Sequence, residues 1–399
     1  MRPAAPARSP YSTVPISHLQ REIRLVELQR NEPMQKIKCV LRSYPVVGPH
    51  PPYIALSYAW GRNVHYADIE LNGYTFSVGR NLWHFLNQMR SSKQFDVYWI
   101  DAICIDQKSL QERNHQVQMM RQIYSNAESV YAWLGEEDEA TYSNVAMTCL
   151  AQRNVFEAAT VSTKRFWTTR QAKAVLSLCE RAYWTRIWIV QELLLAKVVT
   201  VLCGSKAIPW CLFERFFGDV ATVDQLGWGQ HTGVNPTFAS AASKVVQAKY
   251  NWKEQPSLPL LTLLRLCRHQ QSTDIRDRIY ALCGLANESD RLDIDYGITA
   301  KQLLSVVFEH TCTSLKTSLD VSRSRKQLLQ TGKLLQDLLR VYLDDEELET
   351  MIIAREYQLS FHEECLSIVA AGLAHDTSHG NKEKEDLAAV LDGLRREEA

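Results

Sequence analysis

The sequence predicts an α/β protein with a doubly wound, mostly parallel sheet, a β-hairpin at the edge of that sheet and an α-helical region after it. Three observations support this fold class. Short apolar stretches alternate with amphipathic stretches between residues 53 and 135. An Asn-Gly dipeptide interrupts one alternating stretch, which is typical of a β-hairpin. Beyond Gly135 the apolar residues recur mainly with helical spacing.

Three apolar runs predict buried strands: Ile54 to Ser57, Val97 to Ile100 and Ser129 to Leu134. Such continuous runs are typical of parallel strands that are buried on both faces, and these strands require helical crossovers. The stretch from Ala67 to Val78 alternates apolar and polar residues around Asn72-Gly73. This dipeptide predicts a type I′ hairpin at the edge of the sheet.

The crossover helices are predicted from apolar faces and capping signals. Asn81 opens one helix, and Ser109-Leu-Gln-Glu112 fits a capping box at the start of another. In a capping box the serine and the glutamate each satisfy a backbone amide of the first turn. Further helices are predicted at about 139–152, 171–183, 186–197, 210–223, 236–250, 258–268, 300–316, 324–343 and 346–374, with one short strand at 198–202.

These patterns divide the chain into four parts. A Pro-rich lead-in covers residues 1–50, and the α/β core covers 51–200. Residues 201–299 are predicted to continue that core with helices. Residues 300–399 form an accessory α-helical region, because apolar residues keep a helical period there.

Composition narrows the classes of partner. Lys plus Arg and Asp plus Glu both number 45, so a nucleic-acid backbone or an anionic membrane is not favoured as a partner. The ten cysteines lack metal-ligand spacing and are expected to be reduced thiols of an intracellular, cytoplasmic protein. The N-terminus lacks the apolar region of a signal peptide. Polar residues interrupt the most apolar stretch, Ile187 to Leu202, and no membrane span is expected.

A pocket is predicted at the carboxyl edge of the sheet, where open α/β folds bind ligands. Asp101 follows one buried strand, and Ser57-Tyr-Ala-Trp-Gly61 follows another. The alternative is that Asp101 caps a turn and Trp60 is a core residue. The residues expected to line the pocket are Tyr58, Trp60, Gly61, Arg62, Asp101 and, in addition, Asp106.

Glu192 is the main candidate for catalysis. It follows Trp188 by four residues, so it lies beside that aromatic side chain on an otherwise apolar helix face. Desolvation raises the pKa of a carboxylate and suits it to acid/base chemistry or to binding a ribose. The alternative is a buried structural ion pair with Arg186 or Arg113.

Other motifs favour structural roles. Glu112 and Arg113 are explained by capping and by pairing with a neighbouring charge, and Asp274 to Leu285 predicts a helix that docks on the core. No metal site is predicted, because the histidines and cysteines show no paired spacing. The Gly-x-Ser-x-Gly motif, the P-loop and the Gly-x-Gly-x-x-Gly motif are absent.

Several sequence blocks follow one another along the chain: Tyr53 to Gly61, Trp99 to Gln107, Glu112-Arg113 with Gln116-Val117, Ile123-Tyr124, Val130 to Gly135, Arg186 to Glu192, Arg276 to Leu285 and Asp295-Tyr296. In this order they resemble the heterokaryon-incompatibility (HET) domain of fungi. The resemblance covers roughly residues 53 to 296. Asp106 stands where the family usually has Asn, and Ser109 where it usually has Asp.

The resemblance implies a protein of nonself recognition, in which a mismatch between fused cells engages the domain and leads to programmed cell death. It also implies a Rossmann-like core, since HET domains are thought to be distantly similar to Toll/interleukin-1 receptor (TIR) domains. Some TIR domains cleave NAD through a glutamate in a Trp-x-x-x-Glu helix. Trp188 and Glu192 have that spacing.

Two mechanisms are therefore expected. In the first, the domain hydrolyses NAD: Glu192 contacts the ribose, Trp60, Tyr58 and Trp188 contribute to binding, and Asp101 orients a polar group. NAD is then a substrate, and no cofactor is predicted. In the second, the domain is a non-catalytic module that self-associates or binds an upstream recognition protein. An open pocket around Glu192 favours the enzyme, whereas a sealed glutamate paired to arginine favours the module.

Overall fold

The structure is a computed structural model, and it describes residues 9–32, 34–61, 65–91, 97–152, 169–225, 240–313 and 321–354. Its centre is one sheet in the order β5-β4-β2-β1-β6-β3-β7-β8-β9. The strands are β1 (Glu22–Gln29), β2 (Lys38–Pro45), β3 (Ile54–Tyr58), β4 (Tyr66–Leu71), β5 (Tyr74–Gly79), β6 (Val97–Trp99), β7 (Ser129–Trp133), β8 (Val199–Cys203) and β9 (Lys206–Pro209).

Helices directly follow four of the nine strands, β5, β6, β7 and β9. The helices are α1 (Pro10–Thr13), α2 (Arg80–Met89), α3 (Asp101–Cys104), α4 (Leu110–Gln118), α5 (Met120–Asn126), α6 (Ser143–Gln152), α7 (Thr169–Cys179), α8 (Trp188–Leu194), α9 (Trp210–Gln225), α10 (Ala241–Glu254), α11 (Leu260–Leu266), α12 (Asp277–Cys283), α13 (Ala300–Thr313) and α14 (Val321–Leu339). A further helical stretch covers 345–354. A 3-10 turn, Ala182–Thr185, precedes α8.

The sheet is mixed, which corrects the expectation of a mostly parallel sheet. The four strands β6, β3, β7 and β8 run parallel and form the predicted core. Four other neighbouring pairs are antiparallel: β1 with β2, β1 with β6, β4 with β5, and β8 with β9. These antiparallel pairs lie on both sides of the parallel centre, and β2 and β4 form one further parallel pair toward the hairpin.

The predicted hairpin is confirmed at one edge of the sheet. β4 and β5 pair antiparallel, with Leu71 opposite Tyr74. Asn72 and Gly73 between them have positive φ angles of 51° and 81°. A type I′ turn requires positive φ at both central residues, and Asn-Gly is the dipeptide that adopts it most easily.

Residues 22–45 lie within the stretch that sequence analysis assigned to the lead-in, yet they form strands inside the sheet. β1 lies between β2 and β6, and Ile23 and Val26 are fully buried. Arg24 is also buried in β1, where a charge is uncommon. The α/β sheet therefore includes a strand pair from before residue 50.

A second hydrophobic core lies beside the sheet domain. α8, α11, α12, α13 and α14 contribute its buried side chains, which include Leu282, Leu304 and Leu335. The described helices of the region 300–399 thus share a core with α11 and α12 of the region 201–299. Within the described part of the chain, no helix has the length and apolar composition that crossing a membrane would need.

Candidate functional site

Trp60 and Asp101 meet at the carboxyl edge of the parallel strands, as expected. β3 and β6 are parallel neighbours, so the residues after them emerge on the same side of the sheet. Trp60 Nε1 donates to Asp101 Oδ2 at 3.1 Å, and the Tyr58 hydroxyl also bonds this carboxylate. The Trp60 side chain stays 41% exposed, whereas Tyr58 is buried. Trp60 therefore faces solvent at this edge.

Glu192 lies inside the domain, on α8 against β3. Only 2% of Glu192 is exposed. Its Oε2 accepts a short hydrogen bond from Ser57 Oγ. The hydroxyl of Ser57 in turn lies 2.8 Å from that of Tyr183. The Tyr124 hydroxyl lies within hydrogen-bonding reach of the same carboxylate.

Arg186 supplies the positive charge of the site. Its guanidinium donates to the Tyr58 carbonyl and acts electrostatically on both Glu192 and Asp101. Of the two arginines considered as partners of Glu192, Arg186 is therefore the one that acts on it. Arg113 lies elsewhere, with its guanidinium 3.9 Å from the centre of the Tyr296 ring.

Burial raises the pKa of Glu192 to about 7, because desolvation outweighs the charge of Arg186 and the hydrogen bond from Ser57. Desolvation also raises the pKa of Asp101, although Arg186 lowers it. The carboxylates of Glu192 and Asp101 thus both interact electrostatically with the guanidinium of Arg186. Near neutral pH this arrangement can hold or release a proton at Glu192.

The other predicted pocket residues differ in their positions. Gly61 has a positive φ of 89°, which a glycine adopts without strain. The indole of Trp188 bonds the carboxylate of Asp277, in the helical part of the molecule. Asp106 accepts from the backbone amide of Lys108 at 3.1 Å and so stabilises a turn. Arg62 lies outside the described residues.

Sequence reasoning missed Ser57, Tyr124 and Tyr183. Ser57 is a fully buried polar residue that follows three apolar residues of β3, Ile54 to Leu56. Because a buried hydroxyl needs a hydrogen-bond partner, the serine was a signal that a polar group lay opposite. The sequence did not show that this group was Glu192.

The capping box at Ser109 forms only in part. Ser109 Oγ accepts from the Glu112 amide at 3.2 Å, but the Glu112 side chain turns to another partner. Arg24 donates to both Glu112 oxygens, at 2.5 and 3.1 Å, and the Asp106 amide donates to Oε1 at 2.6 Å. A buried ion pair therefore replaces the second half of the box.

Lys249 fixes the other end of the helix that carries Glu192. Its Nζ donates to the carbonyls of Leu193 and Ala196, at 2.5 and 3.2 Å. The last carbonyls of a helix lack partners inside the helix, and a cation there also complements the helix dipole. Desolvation lowers the pKa of Lys249 to about 8.

Metal binding finds no support among the side chains that the structure describes, since no three His, Cys, Asp or Glu residues are grouped as ligands there. The described polar groups of the site are a carboxylate pair, an arginine and hydroxyls. These groups suit hydrogen bonding and proton transfer.

Comparison with known proteins shows what the domain around this site is similar to. Residues 53–192 match the family model described as Heterokaryon incompatibility protein (HET). The chain is 26% identical, over 384 residues, to Heterokaryon incompatibility protein 6, OR allele, of Neurospora crassa. That alignment covers 81% of this chain and 56% of the relative, so the chain spans about half the length of that protein. No solved structure matches the chain.

Proposed function

We propose that this chain, a HET-domain protein of the fungal heterokaryon-incompatibility family, acts in nonself recognition in the cytoplasm and that its α/β domain promotes programmed cell death. The relative's name supports the first part of the proposal. The observation that carries the second is the polar network at the carboxyl edge of the sheet. Trp60 faces solvent there, and Glu192 lies buried in the same network.

The geometry favours a non-catalytic interaction module. Glu192 is only 2% exposed, and Ser57, Tyr124 and Arg186 surround its carboxylate. A substrate would have to displace these groups before it reached the glutamate. In this proposal the network stiffens the edge of the sheet, and Trp60 contacts either an upstream recognition protein or a second copy of the chain.

Replacement of Trp60 tests this proposal. Trp60→Ala removes an exposed aromatic side chain, and large aromatics are typical anchors of protein interfaces. Induced expression of Trp60→Ala in a filamentous fungus should cause far less cell death than wild type, with little change in melting temperature. Tyr342→Ala is the matched control, because Tyr342 is 85% exposed and lies in the helical region. Equal cell death from wild type and Trp60→Ala would contradict the proposal.

A second candidate is hydrolysis of NAD, as in some TIR domains. The raised pKa of Glu192, about 7, favours it, because general acids and bases work best near the operating pH. Water would add to the anomeric carbon of the ribose as the bond to nicotinamide breaks, which yields ADP-ribose, nicotinamide and a proton. Glu192 would contact the ribose only after the network had opened, with Trp60, Tyr58 and Trp188 contributing to binding and Asp101 orienting a polar group.

Purified full-length protein at high concentration separates the two candidates. The enzyme hypothesis requires that NAD is consumed by wild type and spared by Glu192→Gln, which removes the charge but keeps the shape. The module hypothesis requires that both proteins leave NAD unchanged. NAD consumption by the wild-type protein therefore decides between the two hypotheses. The Glu192→Gln variant shows whether any such activity depends on Glu192.

A further inference from the structure

Residues 271–298 lie outside the segment that matches the family model. They nevertheless contact α8 and the residues just before it at three points. We call these residues the clamp segment. It contains α12 and the chain that leads to and from this helix. Each contact involves a different residue of the stretch 185–191.

The first contact brackets Arg186. The Gln271 amide donates to the Thr185 carbonyl at 2.6 Å, and the Ile187 amide donates to the Gln271 carbonyl at 2.9 Å. Both neighbours of Arg186 are therefore fixed through their backbone. Because backbone bonds hold direction as well as distance, they orient the Arg186 side chain toward the Tyr58 carbonyl, to which it donates.

The second contact holds the first residue of α8. Asp277, at the start of α12, accepts from the Tyr296 hydroxyl at 2.6 Å, and the Trp188 indole also bonds its carboxylate. The Tyr296 ring carries the Arg113 guanidinium on its face, 3.9 Å from the ring centre. Asp277 therefore links α8 to a residue that α4 holds in place.

The third contact is a close approach of two helices at Gly284. The side-chain amide of Gln191 donates from its nitrogen to the Ala281 carbonyl at 2.9 Å. Its oxygen accepts from the backbone amide of Arg121 at 3.2 Å. A Cβ at Gly284 would lie 2.6 Å from the Gln191 side chain. The φ of Gly284 is −67°, an ordinary helical value, so the end of the Gln191 side chain, and not backbone conformation, opposes a larger residue here.

We propose that the clamp segment positions Arg186 and Glu192 by holding α8 at these three points, and that Asp277 and Gly284 are positioning residues of the site. The importance of that position for cell death rests on the proposed function; the position itself does not. It follows that the family-matched residues 53–192 do not by themselves contain everything that their own site requires.

Gly284→Ala tests this inference in the full chain. The added methyl group should displace the Gln191 side-chain amide and break its hydrogen bonds to Ala281 and Arg121, which loosens α8 next to Glu192. Carboxyl-carbon NMR would follow the titration of Glu192, with Glu192→Gln identifying its signal. The midpoint should fall from about 7 toward the ordinary value of 4.5 as water reaches the carboxylate. Gly218→Ala is the matched control, since among the described residues outside its own helix turn a Cβ there meets no atom within 4 Å.

A rescue variant separates positioning from general damage. In Gln191→Ala with Gly284→Ala the new methyl group faces the space that the amide leaves. The titration midpoint of this double variant should return close to that of Gln191→Ala alone. A folded Gly284→Ala protein with an unchanged midpoint would overturn the inference. If Gly284→Ala does not fold, the double variant decides: a folded protein supports the clamp, and an unfolded one overturns it.

The titration tests the clamp segment and the cell-death assay tests the proposed function, so each hypothesis can be contradicted without the other. A shifted midpoint with undiminished cell death supports the clamp and contradicts the role of the Glu192 network in signalling. An absence of cell death even in wild type contradicts the proposed function, while the titration still decides whether the clamp segment positions Glu192.

Discussion

Glu192 is an acid in the interior of the domain, and its environment explains why its proton is held unusually tightly. Arg186 and the hydroxyl of Ser57 stabilise the charged form of Glu192. The loss of hydration destabilises that charged form by more than these two groups stabilise it, so the pKa rises. Asp101 adds a second negative charge nearby, which also favours the protonated acid. The network is therefore most stable with a proton on Glu192.

This protonation predicts how stability depends on pH. The pKa of Glu192 is raised from 4.5 to about 7, so folding binds a proton between these values. The stabilisation is fully present below pH 4.5 and is lost as the pH rises through about 7, a change of about 3 kcal/mol. Urea unfolding should show that wild type loses this amount relative to Glu192→Gln. Parallel pH profiles for the two proteins would contradict the buried position of this acid.

The ion pair between Arg24 and Glu112 predicts a large effect of a single substitution. Arg24 is 2% exposed and Glu112 is 7% exposed, and two hydrogen bonds join them. Arg24→Met leaves Glu112 buried without its cation, which typically costs about 3–5 kcal/mol. Arg24→Met with Glu112→Gln should recover part of this loss in urea unfolding. A loss below about 1 kcal/mol for the single variant would contradict the account.

At the residue scale, sequence reasoning succeeded where topology alone brings residues together. Trp60 and Asp101 meet because they follow adjacent parallel strands, and the uninterrupted apolar runs had predicted that these strands are parallel and share one carboxyl edge. The contact between Ser57 and Glu192 depends on how α8 crosses β3. The spacing of apolar residues does not encode that crossing, so the serine and its tyrosine neighbours were missed.

At the scale of elements, the helix α8 is held at its carboxyl end by a buried lysine. Lys249→Met would leave the carbonyls of Leu193 and Ala196 without their donor, which should cost about 1–3 kcal/mol in urea unfolding. Lys253→Met is the matched control one turn further along. Its exposed pair with Glu214 should contribute at most about 1 kcal/mol. Equal losses for both variants would remove the special role of Lys249.

Elements with strong local signals were predictable, and β1 was not. The hairpin follows from Asn72-Gly73, and the parallel strands follow from uninterrupted apolar runs. β1 contains Arg24, and its sequence gives no sign that this arginine is buried. The partner that neutralises it, Glu112, lies 88 residues further along the chain. The burial of Arg24 depends on this long-range ion pair, and the local sequence of β1 therefore did not indicate a strand inside the sheet.

For the whole molecule, the sheet and the second core predict which truncations fail. Sequence analysis assigned residues 1–50 to a lead-in and residues 300–399 to an accessory region, and a fragment of residues 53–296 lacks both. Removal of residues 1–50 deletes β1 and β2 and exposes an edge of β6, and unpaired edges promote aggregation. Removal of α13 exposes its buried partners in the second core. Residues 53–296 should therefore be recovered as aggregates, whereas a soluble, cooperatively melting fragment would contradict this assembly.

The central claim is that the domain promotes cell death as an interaction module around a sealed Glu192. A time course of cellular NAD after induced expression of the full chain tests it most directly, with dye uptake as the marker of death. The account predicts that NAD stays at its starting level until the membranes become permeable, and that Trp60→Ala prevents death. A fall in NAD before dye uptake, abolished together with death by Glu192→Gln, would contradict it.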